Sequence, residues 1–295
     1  MNIKRRNFLW YSLLFTVSCV KTANPNPTQS VTTLSRKLKF AVTDINNIEK
    51  LQQDFGAFRK ALAEVVGVEI ELFNVENYTS AASSMLSGEL DLVFAGPSEY
   101  LVLSSRAKAI PIVAIRRPNY HSIFVVNAKS KITSLRQLKG KTIAMRQVGS
   151  TSGHIFPIKM LMDAGLDPKK DVKIVMLHDK GIHALKKGEV DAWVIASDRY
   201  KNVLKKEGVS NDKEFSIIAE GKLLPSDVFM LNNQLASFVE DIRSRMLNNQ
   251  DKLIKSLLIS QSNQRYNKSQ LLVAKDADYD VIRKVYQELG EGNFL

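Results

Sequence analysis

A short pattern that occurs twice in the chain constrains its fold more than any other feature. Residues 88–91 are Gly-Glu-Leu-Asp, and residues 188–191 are Gly-Glu-Val-Asp. The match continues at the same offset in two more pairs, Ser98 with Asp198 and Tyr100 with Tyr200. Each copy predicts the end of a helix, a buried strand and the start of another helix. A common turn that arose twice by chance is the alternative, but the match through the strand favours two lobes built on one plan.

Strand-like and helix-like segments alternate along most of the chain. The predicted strands are residues 38–42, 68–73, 90–95, 110–115, 122–126, 141–145, 172–177, 190–196 and 215–219. Apolar residues at helical spacing lie between them, which predicts an α/β fold with largely parallel sheets. Residues 116–119 interrupt the alternation and are a candidate crossover. The tail is predicted to be rich in helix, at residues 235–247, 251–259 and 279–289.

The first 36 residues have the features of an export signal and a tether. A basic start and a short apolar run, residues 8–17, indicate a signal peptide over residues 1–19, and residues 5–9 resemble a twin-arginine signal. Cys19, the only cysteine, ends a lipobox-like stretch in which Thr16 stands where leucine is usual. We expect Cys19 to carry a lipid anchor, and an ordinary secretory signal is the alternative. Residues 20–36 predict a flexible tether.

The charge of the mature chain suits an anionic partner. Net charge is +12, and removal of the three basic residues of the signal leaves +12 − 3 = +9. Basic pairs such as Arg116-Arg117 are assigned to solvated faces and turns. A basic surface suits anionic ligands or anionic lipid. Nucleic acid is excluded as a partner, because the chain has no basic patch interleaved with aromatic residues.

The sequence Gly-Ser-Thr-Ser-Gly at residues 149–153, here called the hydroxyl segment, follows a predicted strand and precedes a predicted helix. The first N–H groups of a helix have no acceptor within it and attract anions. Three hydroxyls add donors, and glycine lets a ligand approach the backbone closely. The segment therefore indicates either an oxyanion site or a helix cap with turn glycines.

Several stretches of the chain form a recognisable set. They are residues 78–100, the hydroxyl segment with Phe156-Pro157, His178-Asp179 ten residues before Gly188, residues 225–227 and residues 278–283. Together they resemble the phosphonate, phosphite and phosphate type of ABC-importer solute-binding proteins. The resemblance covers about residues 37–290. It implies the type II periplasmic-binding-protein fold, with two lobes joined by two crossover strands and a mixed, mostly parallel sheet in each. The implied lobes are residues 37–117 with 222–295, and residues 118–221.

The resemblance also assigns ligand-binding residues. Ser150, Thr151 and Ser152 would donate hydroxyl and backbone hydrogen bonds to the oxyanion, and His178 would add a further donor. The structural alternative for the three hydroxyl residues is that they cap the helix. The alternative for His178 is that it ends a strand and bonds only to the backbone.

Three further candidates come from the facing loops and the crossover. Tyr100 would reach the ligand from the other lobe, with packing at the rim as the alternative. Tyr120 would contact the ligand or pack at the hinge. Asp198 would contact an amine on the ligand, although Ala196 stands near the position where the family has its carboxylate.

The resemblance implies transport rather than catalysis. The chain would bind a small phosphorus oxyanion as a monomer and deliver it to an ABC permease. A sulfonate or another small organic ligand in the same fold is the first alternative, a sensor domain the second, and a serine-dependent hydrolase the third. Residues 149–153 have threonine where a nucleophile elbow has serine. The sequence contains no cofactor fingerprint and no histidine cluster with metal-ligand spacing, so we expect no cofactor and no metal.

Overall fold

The structure is a computed structural model that describes residues 37–209 and 212–290. Its strands are β1 (Leu38–Val42), β2 (Ile70–Leu72), β3 (Leu92–Ala95), β4 (Ile110–Ile115), β5 (Ser122–Asn127), β6 (Thr142–Met145), β7 (Lys173–Met176), β8 (Ala192–Ala196), β9 (Phe215–Glu220), β10 (Asp227–Leu231) and β11 (Leu271–Val273). Its α-helices are α1 (Ile48–Val66), α2 (Tyr78–Leu86), α3 (Pro97–Ala107), α4 (Phe156–Asp163), α5 (Gly181–Lys187), α6 (Ser197–Lys206), α7 (Val239–Asn248), α8 (Gln250–Leu257) and α9 (Asp280–Glu288). All described residues belong to one unit, Leu34–Leu295.

The first sheet has the strand order β11-β4-β10-β3-β1-β2. Strand β1 is parallel to β2 and β3, whereas β10 is antiparallel to β3 and β4, and β11 is antiparallel to β4. The sequence pattern predicts neither β10 nor β11. All five residues of β10 are buried, as in β3 and β8, and both of its partner strands come from a much earlier part of the chain.

The second sheet has the order β7-β6-β8-β5-β9. Strand β6 is parallel to β7 and β8, whereas β5 is antiparallel to β8 and β9. The predicted two-sheet α/β class is confirmed, but antiparallel pairing is more frequent than the strand–helix alternation predicts. The reason is the connectivity: β5 and β10 each follow a crossing between the sheets and run against both of their neighbours.

The repeated pattern has the same structural role in both lobes. Gly88 and Gly188 end helices α2 and α5 in the left-handed conformation, with φ of 76° and 73°. The side chains of Asp91 and Asp191 each accept a hydrogen bond from a backbone N–H of the neighbouring strand, β1 or β6, at 2.9 Å. Each aspartate therefore ties the start of its own strand to the next strand of its sheet.

Helices cover both faces of each sheet, and two segments join the lobes. In the first sheet, α1, α7 and α8 pack on one face and α2, α3 and α9 on the other. In the second sheet, α5 and α6 lie on one face and α4 on the other. The joining segments bond to each other, because the Gly221 and Leu224 N–H groups donate to the carbonyls of Ser122 and Tyr120, each at 2.8 Å.

Some expectations fall on residues that the structure does not describe. The signal peptide, Cys19 and the tether lie in residues 1–36, outside the described residues. None of the helices in the described part of the chain combines the length and apolar character needed to cross a membrane.

Candidate functional site

A small cavity lies between the two lobes, at the edge where parallel strands end. Its wall includes residues that follow four different strands: Asp44 after β1, Glu99 after β3, Ser150 after β6 and Arg199 after β8. Open α/β sheets bind ligands at this edge. The cavity measures about 50 Å³, which at about 10–15 Å³ per water is room for a few water-sized groups. Across residues 37–209 and 212–290, no group of three or more His, Cys, Asp or Glu side chains is placed to hold a metal ion.

The hydroxyl segment leads from β6 into α4 through a π-helical turn, Thr151–Ile155. Gly149 has a φ of 84°, in the region that favours glycine. A Cβ atom on Gly153 would lie 2.6 Å from the Cβ of Arg146, so a larger residue could not pack there without a backbone shift. This packing buries three hydroxyl side chains that all line the cavity: Ser150, Thr151 and Ser152.

Residues 96–100, here called the carboxyl segment, approach the hydroxyl segment from the first lobe. The Ser98 N–H donates to Thr151 Oγ1 at 2.9 Å, and Ser98 Oγ lies 2.7 Å from the same atom. Ser98 Oγ also donates to the carbonyl of Gly149 at 2.6 Å. Ser98 is fully buried. The two segments therefore form a hydrogen-bonded contact between the lobes beside the cavity.

Glu99 places a buried carboxyl group in the cavity wall. Its Oε2 would lie 2.5 Å from a Cβ atom on residue 96, so Gly96 makes room for it. Ser98 Oγ lies 2.8 Å from the same oxygen. Burial raises the pKa of Glu99 to about 7, and the negative charges of Asp44 and Asp227 add to the rise. Near neutral pH this carboxyl group can therefore act as a hydrogen-bond donor or as an acceptor.

Arg117 holds two carboxylates at the crossing between the lobes. Its Nε and Nη2 donate to the two oxygens of Asp198 at 2.7 and 2.8 Å, and its Nη1 lies 3.2 Å from both oxygens of Asp227. Burial lowers the pKa of Arg117, but the two carboxylates outweigh this effect and raise it well above its usual value. Its guanidinium carbon lies 3.4 Å from the ring centre of Tyr120. Burial raises the pKa of Tyr120 to about 12, and its hydroxyl bonds to Ser152, so a neutral phenol faces the hydroxyl segment.

Residues 40–279 match the family described as ABC transporter, phosphonate, periplasmic substrate-binding protein. The matched region is well over half of the chain and contains every residue of the cavity described above. The chain belongs to this family. It is therefore the substrate-binding component of an ABC transporter, and the predicted family is confirmed.

Individual relatives agree with this assignment. The chain is 24% identical to the phosphate-import protein PhnD of Mycolicibacterium smegmatis over 220 residues, which cover 69% of this chain and 68% of that protein. It is 26% identical to the probable ABC transporter phosphite binding protein PhnD1 of Prochlorococcus marinus over 274 residues, which cover 86% and 90%. The solved structure of that PhnD1 with methylphosphonate has a TM-score of 0.72 at 23% identity, covering 86% of this chain and 98% of that chain. This likeness confirms the fold.

The structure brings five of the seven predicted ligand-binding residues to the cavity of this periplasmic binding protein. They are Ser150, Thr151, Ser152, Tyr120 and His178. His178 has an exposed side chain and a left-handed φ of 51°, and its N–H donates to the carbonyl of Arg146 at 3.0 Å. The Tyr120 ring lines the cavity and also packs under Arg117 at the crossing.

Tyr100 and Asp198 are not brought to the cavity. Tyr100 is buried in the first lobe, where its hydroxyl donates to Asp276 at 2.5 Å and its ring packs on Tyr279. It follows Ser98 by two residues, which is about 200° around a helix, so it faces away from the segment that Ser98 contacts. The carboxylate of Asp198 is paired with Arg117, so Asp198 links the second lobe to the crossing segment.

The sequence analysis missed the charged residues of the site. Asp44, Glu99, Arg146 and Arg265 line the cavity without having been predicted there. Arg117 was assigned to a solvated pair, but it is only 9% exposed. The sequence pattern did not reveal this burial, because both carboxylate partners of Arg117 come from distant parts of the chain. One usable signal was position: Asp44 and Arg146 closely follow β1 and β6, at the strand ends where such folds bind ligands.

Proposed function

We propose that this protein captures a phosphonate, phosphite or phosphate-like oxyanion between its lobes and delivers it to a membrane permease. The observation that carries the proposal is the hydroxyl segment, whose three buried hydroxyls line the cavity at the start of a helix. Hydroxyls and helix-terminal N–H groups bind such anions through donors that the fold already supplies. The names of the PhnD relatives, which import phosphate or bind phosphite, agree with this ligand class.

We assign the contacts to five residues. Ser150, Thr151 and Ser152 donate to the oxyanion, Tyr120 supports Ser152 from the crossing, and His178 lies at the edge of the cavity. The lobes are residues 37–117 with 222–295, and residues 118–221. Ligand binding closes the lobes, and the closed form is the one that the permease recognises.

Calorimetric titration tests the ligand class. Phosphate, phosphite, methylphosphonate and 2-aminoethylphosphonate are compared with sulfate and methanesulfonate. Methylphosphonate and methanesulfonate form the matched pair, because they have the same shape and differ in charge and protonation. We expect methylphosphonate to bind at least tenfold more tightly, a difference of about 1.4 kcal/mol. Tighter binding of methanesulfonate would instead identify a sulfonate-binding protein.

We also propose that the protein binds its ligand without catalysing a reaction on it. Hydrolysis of a phosphate or carboxylic ester by the purified protein, lost in Ser150→Ala, would contradict it.

We also propose that the protein is exported and monomeric, and that a lipid anchor at Cys19 holds it to the membrane through the tether of residues 20–36. Incorporation of labelled palmitate should occur in the natural protein and disappear in Cys19→Ala. Labelling that persists in the variant would exclude this anchor. Sedimentation of the mature protein at the monomer mass tests the oligomeric state.

A further inference from the structure

Three arginines, here called the arginine group, stand between the cavity and a larger groove outside it. Arg146 follows β6, Arg199 lies in α6, and Arg265 lies in the turn Gln261–Tyr266. These three residues and Asp44 line both the cavity and the groove, which measures about 910 Å³. A ligand whose head lies in the cavity would have to pass this group to extend into the groove.

The three arginines act together on the carboxylate of Asp44. Burial raises the pKa of Asp44, but attraction by Arg146, Arg265 and Arg199 outweighs this effect and lowers it to about 2. Arg146 Nη2 lies 3.2 Å from Asp44 Oδ2. Asp44 is therefore ionised at any physiological pH. Asp227, the other carboxylate that attracts Arg265, is itself bonded to Arg117 and Tyr266.

Two buried donors in this group lack an acceptor. Among the atoms of the described residues, neither Arg146 Nε nor Arg265 Nε has a hydrogen-bond partner. Among the described residues, Arg265 makes a long contact from Nη1 to the Ser262 carbonyl, at 3.4 Å, and its guanidinium carbon stacks 4.8 Å from the centre of the Tyr266 ring. A buried N–H without an acceptor is unfavourable. The Nε edge of a guanidinium is also one of the edges that bind a carboxylate through two hydrogen bonds.

The groove continues the positive charge outward. Lys205 and Lys206 line it and are exposed. Of the acidic residues in its wall, Asp54 is paired with Lys50 and Glu207 with His183. An anionic group is therefore favoured along this path, and an ammonium group is not.

From this geometry we infer that the arginine group is a subsite for a second anionic group, a carboxylate, on an organic phosphonate whose phosphorus head lies in the cavity. The inference rests on the proposed function and deepens it. The small cavity takes the tetrahedral head, and Arg146 and Arg265 offer their Nε edges to the carboxylate. A phosphonocarboxylate would thus be preferred over a phosphonate with a neutral or cationic tail.

Three ligands test the inference by calorimetry. Phosphonoacetate carries the second anion, methylphosphonate lacks it, and 2-aminoethylphosphonate carries a cation instead. We expect phosphonoacetate to bind at least tenfold more tightly than methylphosphonate, and 2-aminoethylphosphonate to bind most weakly. Equal affinity for phosphonoacetate and methylphosphonate would overturn the inference while leaving the proposed function intact. If none of the three binds while phosphate or phosphite does, the inference fails and the proposed function stands. If phosphate and phosphite also fail to bind, both fail.

Variants connect the preference to the arginine group. Arg265→Met and Arg146→Met should each reduce the phosphonoacetate preference at least fivefold. Arg265→Lys keeps the charge but loses the Nε edge, and should also reduce it. Lys186→Met is the matched control, because it removes a positive charge from an exposed position on α5 outside the groove. Thermal unfolding confirms that each variant is folded, and a preference that survives in both Arg146→Met and Arg265→Met would contradict the subsite.

Discussion

The carboxyl segment and the hydroxyl segment occupy equivalent places in the two lobes but supply opposite chemistry. Each follows a strand that ends at the cavity, β3 or β6, and each begins a helix, α3 or α4. The hydroxyl segment presents neutral donors: Ser150, Thr151 and Ser152. The carboxyl segment presents one buried carboxyl group, that of Glu99, and uses Ser98 to hold the other lobe.

The difference bears on the kind of anion that the cavity can accept. Hydroxyl donors bind any tetrahedral oxyanion, whereas a buried carboxyl group tolerates an anion only if one proton is shared between them. A phosphorus oxyanion can bring that proton near neutral pH, and sulfate cannot. The two segments together thus favour a protonated oxyanion over one that is fully ionised. Variants at Glu99, Thr151 and Ser98 test this division.

The largest effect is expected from Glu99→Gln, through the pH dependence of folding. The pKa of Glu99 is raised from 4.5 to about 7 in the folded protein. Its favourable contribution is therefore complete below about pH 4.5 and is lost as the pH rises to about 7, a change of about 3 kcal/mol in the free energy of unfolding. Urea unfolding at pH 5 and pH 8 should show most of this loss in the natural protein and not in Glu99→Gln. Glu76→Gln, at an exposed position in the same lobe, is the control.

The same variant tests selectivity. Sulfate affinity should fall above pH 7 in the natural protein, because ionised Glu99 repels it, and this fall should be absent in Glu99→Gln. If the pH profiles for sulfate are the same in both proteins, Glu99 does not discriminate among anions.

An intermediate effect is expected from Thr151→Val, which removes one of the three hydroxyls of the hydroxyl segment. This change removes a cavity hydroxyl and the acceptor of the buried Ser98 N–H. Ligand binding should weaken by about 1–3 kcal/mol, since a buried donor is left without a partner. Calorimetry with methylphosphonate measures the loss, and Thr133→Val, at an exposed position in the second lobe, is the control. Unchanged affinity would remove Thr151 from the site.

The smallest effect is expected from Ser98→Ala, which removes one hydroxyl from the contact between the segments but keeps its backbone N–H. We expect affinity for methylphosphonate to fall by about 0.5–1.5 kcal/mol, the net value of a typical hydrogen bond. Because Ser98 and Thr151 touch, the double variant with Thr151→Val should lose less than the sum of the single losses. Strict additivity would show that this contact does not contribute to closure.

Much of the fold follows from local sequence patterns. The helical spacing of Phe55, Phe58, Leu62 and Val65 belongs to α1, which begins earlier, at Ile48. The run that ends at Ala95 produces β3, close to the predicted bounds. Strand β10 was not predicted, although its run is about as short and as fully buried as that of β3. Its place between β3 and β4 depends on the chain returning from the second lobe.

The sequence by itself determined the two-lobe plan and the hydroxyl segment, because glycine turns, strand runs and helix starts are set by neighbouring residues. Only the tertiary structure decided which side chains meet in the cavity. Ser98 rather than Tyr100 reaches across, since helix geometry turns Tyr100 into the core. Arg117 pairs with Asp198, which lies 81 positions further along the sequence. Burial raises the pKa of Glu99, and the neighbouring residues in the sequence do not reveal that burial. Charge in a closed site depends on distance and desolvation, and both are properties of the folded chain.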